Sequence, residues 1–349
     1  MGQEEVKTYI ENAGACIVTK SVLNKETEIK WLFRDEEFGN GWIISGKDDS
    51  QEYIDHSENL AVVNFNVLAN IEPLVVHIYS MPTGDLEFVE DDTGKYFIDT
   101  KTGQEIREKY KTPFELALEK HFRFLRKDYY SDEFLSSLFI ETEKITLFII
   151  GTVDIPSGEV IVADPICYLY NHAVSKPLNR TIPIGAYPVE VAICQSDIAG
   201  TRISAARLKI RENKIVRYEL ALEKGQIIDQ IGESGVFGGV GIDAGIASFC
   251  DGKVRDEYLV FLEEWHKTYP KGNHYDDYFA TYFQQSYEAH PTGQREEGDF
   301  IEWAIPQTGN RITMFASGLG DGFYSIYWGL DEQNQVCEII IPFMNVAYF

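Results

Sequence analysis

The pattern of apolar and polar residues divides the chain into three stretches. Over residues 12–100, short apolar runs alternate with turn signals, which is typical of strands and strand–helix units. Residues 101–143 carry apolar positions at helical spacing, and from residue 144 the period shifts toward two. We therefore predict an α+β fold: a small mixed α/β N-terminal domain at 12–100, a helical connection at 101–143 and a larger antiparallel β-rich C-terminal domain with two helices at 144–349.

Helix signals are clearest in the connection. Thr112 is an expected N-cap with Pro113 at the first helical position, and Ser131 caps a second helix. Apolar residues at positions 114, 118, 122 and 125 form one stripe, which predicts that the first helix is amphipathic, with His121 on its surface rather than in any site. Further along, the aromatic belt at 278–290 also has helical spacing. Core packing is its simpler interpretation, and a face for a partner protein is the alternative.

The stretch 232–251 holds six glycines and no proline, together with several apolar residues. It predicts buried strand and tight turn, because a solvated linker would be polar. We expect residues 236–247 to run through the interior. At least one glycine should have positive φ or pack against another backbone, among Gly238, Gly239, Gly241 and Gly245. Gly241→Val is then expected to lower the free energy of unfolding by more than about 1 kcal/mol.

Charge narrows the class of partner. The 349-residue chain has a formal net charge of −25, and both halves share the acidic excess. Nucleic acid is not expected as a partner, because phosphate binding needs clustered Lys and Arg. An acidic surface serves solubility in general, and the sharper interpretation is a protein that meets basic partners.

Cysteine usage and hydropathy bear on the compartment. The cysteines form no CxxC pair, which is typical of buried, reduced thiols and argues against zinc or a disulfide framework. They are Cys16, Cys167, Cys194, Cys250 and Cys337. No basic, apolar signal opens the sequence, and its apolar runs are too short to span a bilayer. We expect a cytoplasmic protein with no membrane partner, and its oligomeric state stays open.

Residues 14–90 carry a set of short motifs in a fixed order. They are IKWLFRDE with Trp31 and Arg34, GWIISGKDD, Tyr53-Ile54-Asp55, NVLANIEP, and Pro82 with Gly84. In order and spacing they resemble the bacterial immunity protein thirty-three family. The resemblance implies a protein that neutralises a toxin delivered by a rival cell, and it brings no mechanism. The family tends to have a basic residue after the position of Phe88, whereas this chain has Val89-Glu90.

Two interpretations apply to Trp31, Arg34 and Trp42. The indoles can fill a small core while Arg34 pairs with Asp35 or Glu36. Alternatively, the three residues form an exposed anchor for a partner protein, because Trp and Arg dominate interface hot spots.

Residues 151–349 resemble a second bacterial family, domain of unknown function 4241. The motifs that carry the resemblance are PSGEVIVADP, IPIGAYPVEVAI, SAARLKI, RYELAL, GVGIDAG and the closing GLGDGFYSIYWGLDEQNQVCEIIIPF. The family brings no accepted activity or cofactor. The family usually has a small polar residue at the position that follows Asp243-Ala244-Gly245, whereas this chain has Ile246. We therefore do not expect hydroxyl-dependent chemistry at that point.

Candidate chemistry centres on Asp164, Asp243 and Asp321, which lie in turns bounded by Gly or Pro. With Glu159 they could converge at one sheet end, as acid and base or as oxygen ligands of a hard metal. The simpler interpretation is that each aspartate caps its own turn. Motifs for nucleotide phosphates, zinc proteases and serine nucleophiles are absent from the sequence, so we assign no metal and no cofactor.

The sequence therefore predicts an immunity-like protein that binds and neutralises a toxin. The acidic surface would steer a basic toxin toward it. The alternative is an enzyme, or a domain that binds a small ligand or metal through the aspartates, and of the two classes the sequence favours the binding protein. Carboxylates converging in a concave pocket would favour chemistry, whereas aspartates that each cap a separate turn would favour binding.

Overall fold

The computed structural model describes residues 7–34, 39–126, 129–232 and 237–349. The chain forms two compact units, Met1–Leu116 and Ala117–Phe349. A mixed sheet in the first unit and antiparallel sheets in the second confirm the predicted α+β class. The predicted limits of the helical connection, residues 101 and 143, stay predictions.

The first unit is built on one mixed sheet. Its strands are β1 (Ala15–Thr19), β2 (Ile29–Arg34), β3 (Trp42–Gly46), β4 (Leu60–Asn64), β5 (Gly84–Asp91), β6 (Gly94–Asp99) and β7 (Glu105–Ile106). They lie in the order β4-β1-β3-β2-β5-β6-β7. β1 and β3 run parallel, and the other neighbours are antiparallel. The helices of this unit are α1 (Lys20–Leu23), α2 (Gln51–Asp55) and α3 (Phe65–Ile71).

The core of the first unit lies between this sheet and α3. Leu32, Trp42 and Ile44 from the central strands pack with Phe65 and Leu68 of the helix. Alternation along β2 sends every second side chain to this core, so the residues beside Leu32 lie on the opposite face of the sheet.

The second unit is antiparallel. Its strands are β8 (Ile145–Ile155), β9 (Val160–Ala163), β10 (Gly185–Ser196), β11 (Gly200–Lys209), β12 (Arg217–Leu220), β13 (Val240–Ile242), β14 (Ile246–Asp251), β15 (Phe300–Ala304), β16 (Arg311–Ala316), β17 (Gly322–Tyr324), β18 (Tyr327–Leu330) and β19 (Val336–Pro342). Its helices are α5 (Asp132–Ser137), α6 (Gly252–Thr268) and α7 (Ala280–Ala289). α4 (Pro113–Leu125) begins before the limit between the units.

Two sheets of the second unit face each other. Their orders are β12-β18-β19-β11-β10-β8 and β15-β16-β14-β9, and β13 pairs with β17 in a separate ribbon. Side chains alternate along the strands of the smaller sheet. Val162 and Phe249 enter the core between the sheets, whereas Ile161 and Cys250 enter the core beneath α6 and α7. Phe279 of the aromatic belt is buried in that second core.

His121 contradicts its expected position on a helix surface. It is 2% exposed and packs beside Phe124 and the C-terminal Phe349. The buried stripe of α4 contains Ala117, His121 and Phe124, whereas Phe122 of the predicted stripe is exposed. Both faces of this helix carry aromatic residues, so apolar periodicity alone selected the wrong one.

The glycine-rich stretch forms β13 and β14, and Val240 and Ile242 are buried as expected. Gly245 has a φ of +65°, and a Cβ at Gly239 would clash with the carbonyl oxygen of Tyr324. The prediction of packed, left-handed glycine is therefore confirmed. Phe237, however, is largely exposed, and Gly241 is neither crowded nor at positive φ. The structure therefore gives no support to the expected destabilisation by Gly241→Val, because a Cβ at this position meets no close contact.

Candidate functional site

Three aspartate turns meet at one end of the ribbon. β13 and β17 pair so that Ile242 lies opposite Gly322, which places Asp243 and Asp321 just beyond the last pair. Asp164 follows β9 directly. Burial raises the pKa of the Cys167 thiol to about 11, with further contributions from the charges of these three aspartates. The structure therefore places the turns of Asp164, Asp243 and Asp321 side by side, and Asp164 accepts the backbone N–H groups of both Asp243 and Cys167.

Asp164 is a fully buried cap that joins two turns. Its Oδ1 accepts the backbone N–H groups of Ile166 and Cys167 at 2.8 and 2.9 Å. Its Oδ2 accepts those of Asp243 and Ala244 at 3.0 and 2.7 Å. With 0% exposure and four donors, this carboxylate fixes the loop after β9 against the loop after β13. Its contacts are those of a turn cap rather than of a catalytic acid or base.

The other two aspartates of the cluster are exposed. Tyr168 donates its hydroxyl to Asp243, and this hydrogen bond is the main reason that the pKa of Tyr168 is raised to about 12. The Asp243 turn rests against the turn before Asp321, because the Ser317 N–H donates to the Gly245 carbonyl at 2.9 Å. Two exposed carboxylates can attract a cation. The Cys167 thiol and the Tyr168 hydroxyl both stay protonated at neutral pH, because their pKa values are raised, so neither of these two groups acts as a base beside the carboxylates.

Glu159 lies apart from this cluster. It precedes β9, at the opposite end of the strand from Asp164, and it forms an ion pair with Lys224. The expected convergence of four carboxylates therefore reduces to three. Within the described ranges, no group of three or more His, Cys, Asp or Glu side chains is arranged to hold a metal ion.

A second candidate surface is the uncovered face of the first unit. Trp31 and Phe33 alternate with the buried Leu32 along β2, and each is 43% exposed. Strand pairing places Ile43 beside Phe33, and Ile17 links Ile43 to the exposed Val62. We call this row, with Trp31, the open face. It crosses four neighbouring strands, from β4 to β2.

Acidic residues border the open face on β5. Asp85 lies opposite Phe33 in the strand pairing, and Glu87 lies opposite Trp31. Lys30 forms an ion pair with Glu87 at 2.6 Å. The open face is therefore an apolar patch with a carboxylate rim, a composition seen in interfaces with an apolar centre and a polar border.

Arg34 and Trp42 do not belong to this surface, which corrects the predicted partner contact. Trp42 is 1% exposed in the core, and its Nε1 donates to the Tyr79 carbonyl at 3.4 Å. The Arg34 guanidinium donates to the carbonyls of Tyr79 and Met81 and lies 5.7 Å from the Trp42 ring centroid. Both side chains hold the loop before β5. The partners considered for Arg34, Asp35 and Glu36, lie outside the described residues.

Sequence reasoning missed Phe33 and Val62 as surface residues. The signal was present for Phe33, since the run Trp31-Leu32-Phe33 places two aromatic side chains on one face of a strand and a leucine on the other. Val62 could not have been found in this way, because its neighbours across the sheet are set by the order of strands distant in sequence.

Two family comparisons cover these two regions. Residues 153–341, more than half of the chain, match the sequence model of a family described as Protein of unknown function (DUF4241). The chain belongs to the DUF4241 family. Residues 16–99 match the Immunity protein Imm33 domain, so both resemblances seen in the sequence are confirmed. No curated protein and no solved structure matches the chain.

The DUF4241 match contains all three aspartate turns, and the Imm33 match contains the open face. The two candidate sites therefore lie in separate family matches as well as in separate units. None of the helices in the described ranges has the length and apolarity that a bilayer crossing requires.

Proposed function

We propose that this chain is an immunity-like protein whose first unit binds and neutralises a toxin through the open face. The observation that carries the proposal is the paired exposure of Trp31 and Phe33 inside the residues that match the Imm33 domain. Large aromatic side chains on a rigid strand are effective anchors, because they bury much area and lose little conformational entropy.

The size of the open face suits a protein partner. Adjacent strands lie about 4.8 Å apart, so the open face together with its acidic rim, from Val62 on β4 to Asp85 on β5, extends over about 20 Å. A standard interface buries about 800 Å² on each partner, a patch of comparable width. The open face therefore supports a whole-protein partner better than a small molecule.

Charge supports a basic toxin in particular. Asp85 and Glu87 border the apolar row, and the whole chain carries a net charge of −25. The electrostatic field of these negative charges accelerates the encounter with a basic protein and disfavours the binding of acidic proteins. We expect the association rate to fall as ionic strength rises.

Expression beside each toxin encoded next to its gene, in a toxin-sensitive host, tests this function. The chain should restore growth against at least one of them. The double variant Trp31→Ala/Phe33→Ala should weaken binding of the purified toxin by at least about thirtyfold, because it removes two central anchors. Both residues are exposed, so the melting temperature should change little.

Tyr129→Ala, which truncates an exposed aromatic residue in the second unit, is the matched control and should bind like wild type. Protection by the double variant at wild-type levels would remove the open face from the proposal. Failure of the wild type to bind any neighbouring toxin would remove the function itself.

A second candidate function is metal or small-ligand binding by the aspartate turns of the second unit. It is supported by the convergence of Asp243 and Asp321 as exposed carboxylates near Cys167. It is opposed by the engagement of both Asp164 oxygens in turn hydrogen bonds. A change in melting temperature on addition of a divalent metal tests this candidate.

A further inference from the structure

The second unit contains a cleft that neither family match explains. Its volume is about 530 Å³, within the range of small-molecule sites. The outward face of the β13–β17 ribbon forms its floor, and the loops that carry Tyr168 and Glu223 form its walls. The cleft belongs to a different unit from the open face, so its role is independent of the proposed toxin binding.

The floor of the cleft contains the aromatic ring of Phe323. The half-buried Phe323 pairs across the ribbon with Gly241, which has no side chain of its own to lie over the ring. A Cβ built at Gly241 would have Phe323 Cδ2, at 4.0 Å, as its nearest contact among the described residues. Phe237 lies beside Phe323 with ring centroids 5.0 Å apart, and it is 56% exposed. Two aromatic rings therefore face the same space.

The wall supplies a carboxylate. Glu223 is half-buried, and burial is the main reason that its pKa is raised, which the Lys176 N–H and charge partly oppose. That N–H lies 3.4 Å from its Oε1, a long hydrogen bond. A partly desolvated carboxylate with weak compensation gains most from a cation that enters the cleft.

Gln226 fixes the geometry of these groups. Its Oε1 accepts the Glu223 N–H, and its Nε2 donates to the Phe237 carbonyl, both at 2.9 Å. The side chain thus ties the turn that carries the carboxylate to the backbone of one aromatic ring. A site with both groups already in place needs little reorganisation to bind.

We propose that this cleft binds an organic cation. Its guanidinium or ammonium group would contact the Phe323 and Phe237 rings and pair with the Glu223 carboxylate. Aromatic faces attract such cations through their quadrupole, and the carboxylate neutralises the charge. Tyr168 and Ser175 also line this cleft. The cation can belong to a free small molecule or to a side chain of a polypeptide.

Calorimetry on the full chain with two probes tests the proposal. Arginine amide carries the guanidinium, and citrulline amide is its neutral, nearly isosteric counterpart. We expect arginine amide to bind at least tenfold more tightly. Glu223→Gln should reduce this preference at least tenfold, because it removes the charge and keeps the shape. Glu212→Gln, at a side chain that is 92% exposed, is the matched control and should bind like wild type.

Gly241→Val tests the location. The valine side chain would project into the cleft over Phe323, and because a Cβ at this strand position meets no close contact, we expect the fold to accept it. We expect this variant to keep the wild-type melting temperature and to lose arginine amide binding. If the variant does not fold, the Glu223→Gln comparison still decides the proposal.

Equal binding of the two probes, no binding of arginine amide, or wild-type binding by both cleft variants would overturn the proposal. The peptide Gly-Arg-Gly amide distinguishes the source of the cation. Binding tighter than that of arginine amide supports a polypeptide side chain, and weaker binding supports a free small molecule.

Discussion

At the scale of single residues, substitutions at Asp164 and Asp243 distinguish a structural role of the aspartate turns from a chemical one. Asp164→Ala leaves four backbone N–H groups without their acceptor in a buried place. We expect a loss of about 3 kcal/mol or more in the free energy of unfolding, measured by urea denaturation. Asp243→Asn, at an exposed residue that keeps an oxygen for Tyr168, should cost about 1 kcal/mol or less. Equal costs for the two variants would contradict the assignment of Asp164 as the cap.

Divalent metals decide the remaining chemical role of Asp243. If it is a ligand, added Mg²⁺ or Ca²⁺ should raise the melting temperature of the wild type but not of Asp243→Asn, because binding to the folded state stabilises it. Asp321→Asn should then lose the shift as well. No metal-dependent shift in any of the three proteins would remove the hard-metal version of the site.

His121 should make the second unit sensitive to mild acid. Burial lowers its pKa from 6.5 to about 4, and its Nδ1 has no hydrogen-bond partner among the described residues. Between these two pH values the unfolded chain binds more protons at this residue than the folded chain. The free energy of unfolding therefore includes the full contribution of neutral His121 at pH 7. It falls as the pH drops from about 6.5 to about 4, by about 3 kcal/mol at most.

Urea denaturation between pH 7 and pH 4.5 measures this effect by comparison with His121→Leu. The variant should be at least as stable as the wild type at pH 7, since it removes a buried unpaired nitrogen. It should also lose less stability on acidification. Parallel pH profiles for the two proteins would contradict the role of His121.

At the scale of elements, local signals in the sequence were sufficient where one element decides its own structure. Pro113 begins α4 as predicted, and Ser131 accepts the Phe134 N–H as the N-cap of α5. Alternation predicted the strands of the second unit, and glycine content predicted the packed backbone at Gly239 and Gly245. Each of these sequence signals is contained within one turn of helix or one strand, even where the contact that results, such as that of Gly239 with Tyr324, is distant in sequence.

Features that depend on pairing between distant elements could not be predicted. The convergence of Asp243 with Asp321 follows from the register of β13 on β17, which are about 80 residues apart. The same register places Gly241 beside Phe323 and so opens the cleft. The choice of buried face on α4 likewise depends on the C-terminal Phe349. Hydrophobic periodicity carries no information on such partners.

At the scale of the whole molecule, the negative net charge favours basic partners at both of the proposed binding sites. The net charge of −25 is spread over both units, so a basic partner is favoured at either the open face or the cleft. The two proposals nevertheless fail independently. The open face depends on aromatic residues of the Imm33 match, and the cleft depends on Glu223 and Phe323 within the DUF4241 match.

The helical part of the connection gives the last prediction, because its packing assigns residues 117–143 to the second unit. Phe124, Tyr130 and Leu135 share a core cluster with Ala205 and Ile340 of the larger sheet. The rings of Phe124 and Tyr130 stack at 4.4 Å, and the Tyr130 N–H donates to the Tyr327 hydroxyl at 3.1 Å. A tether between domains would not contribute such contacts to a core.

We therefore expect a fragment of residues 101–349 to unfold in one cooperative transition, and a fragment of residues 144–349 to be far less stable. Each buried apolar side chain that is removed withdraws about 1.5–3 kcal/mol. Four of them, Phe124, Tyr130, Leu135 and Leu138, amount to much of the roughly 5–15 kcal/mol that stabilises a typical domain. Circular dichroism during thermal melting compares the two fragments. Equal stability would show that the connection is a separate segment, as the predicted limit at residue 143 implies, because the sheet would then not need the helices to cover it.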